Sequence, residues 1–134
     1  SFPINKNEII NAIFANKINL KKITKIIHSE IRKEMGKFLK KHVNKKIVIL
    51  DIPLLLENKI NNEKDILVFV ETKKNDVLRR LKKRDNFNRQ IYNKFQNIQL
   101  PLDYKKKKSK FIIKNDFTKK SVKRSIKNIL DKII

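Results

Sequence analysis

The stretch Ile47-Val48-Ile49-Leu50-Asp51-Ile52-Pro53-Leu54-Leu55-Leu56-Glu57 decides the fold prediction for this chain of 134 residues. Its first four residues are apolar without polar alternation, which predicts a strand covered on both faces, as in a parallel α/β sheet. Pro53 has no amide hydrogen for a ladder, so we expect the strand to end near Asp51. Ligands in open α/β sheets lie beyond the carboxyl ends of the strands, which makes residues 51–57 a candidate site. The alternative interpretation is a core strand followed by the start of an amphipathic helix.

The composition favours one compact domain with a hydrophobic core, because 40% of the residues are hydrophobic. The chain has no cysteine, and His28 and His42 have no ligand cluster around them, so we predict neither a disulfide framework nor a metal site. No apolar run approaches the ~20 residues of a membrane span, and the first residues show no leader pattern. We therefore predict a cytoplasmic protein without membrane contact.

The formal net charge of +22 is typical of proteins that bind nucleic acid. However, 29 lysines are spread over every segment, which indicates a compositional bias more than a designed patch. A basic RNA-binding module stays an alternative, although we do not expect nucleic acid as a partner. Against this background an arginine indicates a need for its rigid, bidentate guanidinium fork. Four of the six arginines lie within residues 79–89.

Helical periodicity is clear in both terminal parts of the chain. Apolar residues at helical spacing predict helices over residues 6–14, over residues 19 to about 41, and from about Thr118 onwards. Gly36 lies inside the second helix and costs about 1 kcal/mol relative to alanine, so we expect a kink or an early helix end there. The last helix carries one apolar stripe for packing on a sheet, formed by Val122, Ile126, Ile129, Leu130 and Ile133.

The middle of the chain predicts strands separated by a helical hairpin. Residues 66–70 form a second apolar run, which we expect to lie parallel to the first, and residues 111–113 form a third. Between them we predict a helix capped by Asn75 or Asp76 that runs to about residue 85, a helix over residues 90–98, a break at Pro101 and a polar connector over residues 104–108. This order of elements predicts an α/β fold.

The arginines of the hairpin predict an anion site. Arg80 and Arg84 have i, i+4 spacing, which places them on one face of a helix, and Arg89 follows after the bend. Like charges at that spacing cost an isolated helix about 0.2–0.5 kcal/mol, so we expect an anion to compensate them. Phosphate fits the guanidinium fork, and a basic hairpin that closes over polyphosphate also excludes water. The alternative is a solvated basic face.

Taken in order, these pieces resemble the dephospho-coenzyme A kinase family over essentially the whole chain. That family's pattern is a His-Pro-x-Ile/Val-Arg helix, a strand ending in Pro-Leu-Leu-Phe-Glu, an Arg-Leu-x-x-Arg helix, a later Gln and Lys, and an Ile-x-Asn after the last strand. The matching segments are residues 4–14, His28-Ser29-Glu30-Ile31-Arg32, Asp51-Ile52-Pro53-Leu54-Leu55-Leu56-Glu57, Arg80-Leu81-Lys82-Lys83-Arg84-Asp85, Gln99, Lys105 and Ile113-Lys114-Asn115. The departures are Ser29 for Pro, Leu56 for Phe, Val77 for Gln and Lys6 for Arg.

The resemblance implies a P-loop kinase that transfers the γ-phosphoryl group of ATP, held with Mg²⁺, to the 3′-hydroxyl of dephospho-coenzyme A, the last step of coenzyme A synthesis. Its implied partners are these small molecules. The implied substrate-binding residues are His28, Arg32, Asp51, Pro53, Leu54 and Glu57. The implied ATP and lid residues are Arg80, Arg84, Arg89, Gln99, Lys105 and Asn115, with Arg84 clamping the triphosphate.

The resemblance also implies a division of the chain. Residues 1–45 form a helical substrate region on the coenzyme A side, residues 46–75 the core strands, and residues 76–105 a helical lid. Residues 106–134 form the last strand and helix of a partial three-layer α/β/α core. Another nucleotide or nucleoside kinase of the same fold is the alternative activity, and the oligomeric state stays open.

A glycine-rich phosphate loop is missing from this sequence, because its one glycine lies in a predicted helix. We expect that loop and the catalytic base upstream of Ser1, so that no catalytic residue is intact here and the chain alone is inactive. In this kinase class the P-loop strand lies between the strands at 47–50 and 66–70. We therefore expect those two strands not to be hydrogen-bonded neighbours, and the chain alone to expose apolar side chains and to be poorly stable.

Overall fold

The computed structural model describes Pro3, residues 5–85 and residues 87–134, without the side chains of Lys6 and Lys17. Two features of the family resemblance lie outside the described residues. They are Ile4, the first residue of the matching segment 4–14, and the side chain of Lys6, which stands where the family has arginine. The chain forms two compact units, Ser1–Ile52 and Pro53–Ile134, where the composition predicts one. The first unit is helical and the second contains the sheet.

Two helices make up the first unit, as predicted. Helix α1 spans Lys6–Ala15 and helix α2 spans Lys17–Lys41. Asn16 ends α1 and also caps α2, because its side chain accepts a hydrogen bond from the Ile18 amide at 2.8 Å. The Asn19 side chain donates to the Ala12 carbonyl at 3.0 Å and so links the two helices.

Helix α2 continues through Gly36 for five more residues, so the expected early end is wrong. A Cβ at Gly36 meets no heavy atom within 4 Å, so the glycine is not required by close packing. Lys40 and Lys41 occupy the last turn, where cations interact favourably with the helix dipole. These favourable residues and the long flanking turns outweigh the single unfavourable position.

The predicted strand at residues 47–50 is not formed. These residues lie outside every described helix and strand, and Ile49 is 83% exposed. An apolar run becomes a strand only where a neighbouring strand supplies backbone hydrogen bonds, and no described segment supplies them here. The run does end in a turn, which covers residues 53–59 as Pro53 predicts.

The second unit contains a parallel two-stranded sheet, which confirms the predicted fold class. Strand β1 spans Val68–Glu71 and strand β2 spans Phe111–Lys114, paired from Val68 with Phe111 to Glu71 with Lys114. Strand β1 begins two residues later than predicted, because its first residue, Val68, pairs with Phe111, the first residue of β2. The sheet pairs β1 with β2, so it agrees with the expectation that residues 47–50 and 66–70 are not hydrogen-bonded neighbours.

The crossover from β1 to β2 contains three helices: α3 at Lys74–Lys82, α4 at Arg89–Gln96 and α5 at Leu102–Lys108. The predicted cap of α3 at Asn75 or Asp76 is wrong, because α3 begins at Lys74 after Lys73, which makes no side-chain cap. Asp76 instead lies in the first turn, where a carboxylate interacts favourably with the helix dipole.

Helix α5 replaces the connector predicted at residues 104–108. Pro101 directly precedes it, Asp103 lies in its first turn, and four lysines lie in its last turn. Proline at a helix start loses no hydrogen bond, and these charges are favourable at both ends of the helix dipole. The proline therefore begins a helix instead of only ending one.

Helix α6 spans Lys119–Ile133 and packs against β2, as predicted, and Thr118 caps it. Its apolar stripe is divided, because Val122, Ile129 and Ile133 are half-buried whereas Ile126 and Leu130 are exposed. Among the described residues only Ile60, at 4% exposure, is a buried hydrophobic side chain, so the hydrophobic core that the composition favours is limited to partly covered side chains elsewhere. The expected exposure of apolar side chains is confirmed on the sheet by Val68, Val70 and Ile112. No helix in the described part of the chain is long and apolar enough to cross a membrane.

Candidate functional site

The turn at residues 53–59 has a fixed backbone. Leu54 adopts a left-handed conformation with φ of 55°, which is uncommon for a branched residue. The backbone amide and the side-chain amide of Asn58 both donate to the Leu54 carbonyl, at 3.1 and 2.8 Å. Pro53 and Leu54, which we predict to contact the substrate that accepts the phosphoryl group, therefore lie in a turn that is closed by its own hydrogen bonds.

Glu57 anchors this turn to the segment around α5. Its side chain is 7% exposed, and its Oε1 lies 2.5 Å from Lys105 Nζ, on a side chain that is 19% exposed. The same oxygen accepts a hydrogen bond from the Leu100 amide at 3.0 Å. Burial opposes ionisation of Glu57, but hydrogen bonds from Lys105 and Leu100 and the charge of Lys105 outweigh it, so its pKa lies below the usual value.

This partly buried pair has a structural consequence. Removing one partner of a fully buried ion pair costs about 3–5 kcal/mol, and the partial exposure of Lys105 places the cost here at the lower value. Glu57 and Lys105, predicted as a substrate contact and a lid residue, are therefore engaged with each other. The contact favours a role in holding the turn, while contact with a ligand stays a prediction for both residues.

The lid arginines differ from one another in their surroundings. Helix α3 ends at Lys82, so the prediction that Arg80 and Arg84 share one helix face is wrong. The Arg84 amide donates to the Leu81 carbonyl at 3.0 Å, an i to i−3 bond that tightens the chain beyond the helix. Asp85 and the asparagines that follow are poor helix formers, which explains the early end.

Arg80 and Arg84 have no ion-pair partner among the residues that the structure describes. By contrast, the neighbouring Arg79 donates to Asp76 Oδ1 at 2.7 Å, with one turn of α3 between them. Two of the predicted phosphate-binding arginines are thus exposed and keep their guanidinium groups available for an anion.

Arg89 and Gln99 flank α4. Arg89 is the first residue of that helix, and its Cζ lies 5.7 Å from the centroid of the Tyr92 ring. Gln99 follows the helix and is half-buried. Its backbone N–H donates to the backbone carbonyl of Gln96 at 3.3 Å. Their roles toward ATP stay predictions.

The loop after β2 meets α3. The Asn115 amide donates to the Glu71 carbonyl at 2.8 Å, and its side-chain oxygen accepts from the Phe117 amide at 2.9 Å. The Arg80 guanidinium lies over the Phe117 ring, 4.3 Å from Cζ to the centroid. The structure therefore places two predicted ATP residues, Arg80 and Asn115, around the same loop.

Asp116 fixes the start of α6. It accepts hydrogen bonds from the Ser121 hydroxyl and from the amide and hydroxyl of Thr118, at 2.9 and 2.8 Å for the latter two. The Ser121 bond first, and then the Thr118 bonds, lower the pKa of Asp116 to about 2. Asp116 therefore stabilises the turn between β2 and α6 as a carboxylate.

The remaining residues that we predict to bind the phosphoryl-accepting substrate belong to the first unit. His28 and Arg32 are four residues apart on α2, which places them on one helix face, with His28 half-buried and Arg32 exposed. Asp51 is exposed beyond residues 47–50. Their contacts with a substrate stay predictions.

Sequence reasoning missed two contacts near these residues. Glu71 Oε1 lies 2.5 Å from Lys106 Nζ, which links the end of β1 to α5. An acid at the end of an apolar run is a detectable signal for a residue at the carboxyl end of a strand. The contact between Phe117 and Arg80 had no such signal, because the two residues are far apart in the sequence.

Comparisons of the sequence with known proteins identify its relatives. A family model of dephospho-CoA kinase matches residues 3–121. The chain is similar to a dephospho-CoA kinase of Wolbachia pipientis wMel, with 32% identity over 117 residues that cover 86% of this chain and 60% of that protein. It is also 30% identical over 131 residues to a dephospho-CoA kinase of Bacillus thuringiensis subsp. konkukian, covering 96% of this chain and 66% of that protein.

A dephospho-CoA kinase of Rickettsia bellii is 29% identical over 126 residues, covering 94% of this chain and 66% of that protein. The chain thus spans about two thirds or less of the length of these relatives. The matched residues include the turn at 53–59, the α3 arginines and the loop after β2. The family match over most of the chain, together with these elements, shows that the chain belongs to the dephospho-CoA kinase family.

Proposed function

We propose that the complete gene product transfers the γ-phosphoryl group of ATP to the 3′-hydroxyl of dephospho-coenzyme A in the cytoplasm. In this proposal the chain provides the acceptor wall at residues 51–57, the lid around α3 and α4, and the distal core formed by β1, β2 and α6. The membership in the dephospho-CoA kinase family supports the reaction type.

The observation that carries the proposal is the pair of exposed arginines, Arg80 and Arg84, which have no carboxylate partner in the described part of the chain. A guanidinium presents donors in a planar fork that matches two phosphate oxygens, and charge-assisted bonds of this kind are strong. Phosphoryl transfer depends mainly on positioning and on electrostatic stabilisation of the transferred group. Arg84 therefore has the role of clamping the triphosphate, and Arg80 that of contacting the same nucleotide.

The acceptor side has a different chemical basis. Glu57 holds the turn at 53–59 through Lys105 and the Leu100 amide, so the turn keeps a defined shape for the acceptor nucleotide. His28 and Arg32 supply donors on one face of α2 for the anionic groups of that substrate. In this scheme positioning residues and ligand-contacting residues are separate.

ATP brings Mg²⁺ in this proposal, but the described residues do not fit a metal centre of their own. No group of three histidines, aspartates or glutamates within them could hold an ion. Magnesium in kinases is bound mainly through phosphate oxygens and one or two carboxylates, so it would arrive with ATP and would need no such cluster. The glycine-rich backbone that cradles phosphate is likewise not among these 134 residues.

The test is an acceptor comparison with the complete gene product. ATP is supplied with dephospho-coenzyme A, AMP or adenosine, and the phosphorylated product is identified by mass spectrometry. We expect transfer to the 3′-hydroxyl of dephospho-coenzyme A at a kcat/KM well above that for the other acceptors. Preferred transfer to AMP or adenosine supports a different nucleotide kinase, and no transfer to any acceptor rules out the proposed activity.

A further inference from the structure

Phe117 occupies a backbone position that is unfavourable for a bulky side chain. Its φ is 63°, in the left-handed region where glycine, asparagine and aspartate are the usual residues. The loop itself imposes this conformation, since Asn115 accepts from the Phe117 amide and Asp116 accepts from the Thr118 amide, each at 2.9 Å. A glycine at this position keeps both bonds without the strain, so the phenyl ring has no evident function in shaping the backbone.

The ring has one specific contact that accounts for its presence. The Arg80 guanidinium lies over its face at 4.3 Å, a distance typical of a cation–π interaction. Phe117 is 39% exposed, so the ring is not fully buried. The contact instead limits the orientations of an exposed arginine that no described carboxylate pairs with.

The three arginines near the end of α3 differ in this respect. Arg79 is held by Asp76, whereas the Arg84 side chain contacts neither an acid nor an aromatic ring in the described residues. Arg80 alone among them lies on an aromatic face, which restricts the side chain without neutralising its charge. A cation that is ordered before binding loses less conformational entropy when an anion arrives.

We propose that Phe117 is a positioning residue that holds the Arg80 guanidinium in place for the nucleotide bound by the lid. This inference rests on the proposed function, in which Arg80 contacts ATP. Phe117 acts through Arg80 and does not itself take part in phosphoryl transfer. Its contribution is to nucleotide affinity, at the expense of local backbone strain.

The experiment compares Phe117→Gly, Phe117→Trp and Arg80→Gln in the complete gene product, by steady-state kinetics with ATP and by thermal unfolding. We expect Phe117→Gly to raise KM for ATP about fivefold with little change in kcat, which corresponds to the loss of one exposed cation–π contact. Its melting temperature should equal or exceed that of the wild type because the strain is relieved. Phe117→Trp, which keeps an aromatic face, should retain the wild-type KM.

The dependence on Arg80 is tested by the double variant. In the Arg80→Gln background, Phe117→Gly should change KM for ATP no further, because the contact is already lost. An unchanged KM in Phe117→Gly, or an equal increase with and without Arg80, overturns the positioning role while the kinase activity stands. A large loss of melting temperature in Phe117→Gly also overturns it, since the ring then acts structurally. A wild-type protein that transfers no phosphate instead refutes the proposed function.

Discussion

The turn at residues 53–59 and the end of α3 both carry charged residues of the candidate site, but the surroundings of those charges differ. Glu57 is 7% exposed and is neutralised by Lys105 and the Leu100 amide. Arg80 and Arg84 are exposed and have no ion-pair partner in the described residues. The charge of the first region holds the chain in shape, whereas the charges of the second are exposed to solvent, where we propose that they bind a ligand.

This difference shows that similarity to a family motif does not by itself assign a chemical role. Glu57 and Arg84 both match motif positions, but only the surroundings separate a structural contact from an available donor. A buried, satisfied ion pair affects stability when it is broken, while an exposed and unpaired arginine affects binding. The variants below separate these two effects, in order of decreasing expected magnitude.

The largest effect is expected for Glu57→Ala in the complete gene product. The variant leaves the largely buried Lys105 ammonium without a counter-charge and the Leu100 amide without its acceptor, so the free energy of unfolding should fall by about 3 kcal/mol. Urea denaturation measures this change. Glu63→Ala, at an exposed glutamate without an ion pair in the described residues, is the matched control and should stay within about 0.5 kcal/mol of the wild type.

A paired replacement sharpens this result. Replacing both Glu57 and Lys105 by methionine removes the charges together and should restore much of the stability lost in Glu57→Ala. If Glu57→Ala is as stable as Glu63→Ala, the turn does not depend on the ion pair and the contrast between the two regions is lost.

The next effect concerns Arg84→Gln, which should lower kcat/KM for ATP by about 100-fold without changing the melting temperature. The loss follows from removing a charge-assisted contact with phosphate, which arginines make in phosphoryl transfer. Arg79→Gln is the control, because Arg79 lies nearby but is already paired with Asp76. Equal losses in the two variants mean that only the overall positive charge matters.

A smaller effect distinguishes two consecutive lysines of α5. Lys105 is largely buried against Glu57, whereas Lys106 and its partner Glu71 are each more than a third exposed. Exposed ion pairs contribute little because solvent screens them. Lys106→Met should therefore lower the melting temperature clearly less than Lys105→Met, and the reverse order contradicts the assignment of Lys105 to the anchor.

The smallest effect is a pH dependence at the loop after β2. The pKa of Asp116 is lowered from 3.8 to about 2, so its stabilising effect is complete above about pH 4 and is lost as the pH falls toward 2. The difference in unfolding free energy between the wild type and Asp116→Asn should narrow over that range. Acid titration followed by circular dichroism measures it, and a constant difference means that the Asp116 charge does not stabilise the loop.

The sequence predicted those features that depend on local patterns. Helices α1, α2 and α6 follow from apolar periodicity, and β2 follows from a short apolar run, whereas the capping contacts of Asn16 and Thr118 are found only in the structure. The run at residues 47–50 is equally apolar but forms no strand, because pairing depends on a neighbouring strand and not on the run itself.

The sequence proposes a set of candidate site residues but does not predict the contacts that they make. The i, i+4 spacing of Arg80 and Arg84 assumed a helix that in fact ends at Lys82. The hydrogen bond between Glu57 and the Leu100 amide joins residues 43 positions apart, so no local sequence pattern predicts it. The same holds for Arg80 on Phe117, since both the contact and the backbone strain arise only in the folded chain.

The most direct test of the contrast between the two regions is the thermal shift that ATP produces in the wild type and in Arg84→Gln. A ligand that binds the folded state raises the melting temperature according to its affinity. For the complete gene product we expect equal melting temperatures without ATP, a clear increase for the wild type with ATP, and little or no increase for Arg84→Gln. An ATP shift of wild-type size in Arg84→Gln contradicts this expectation.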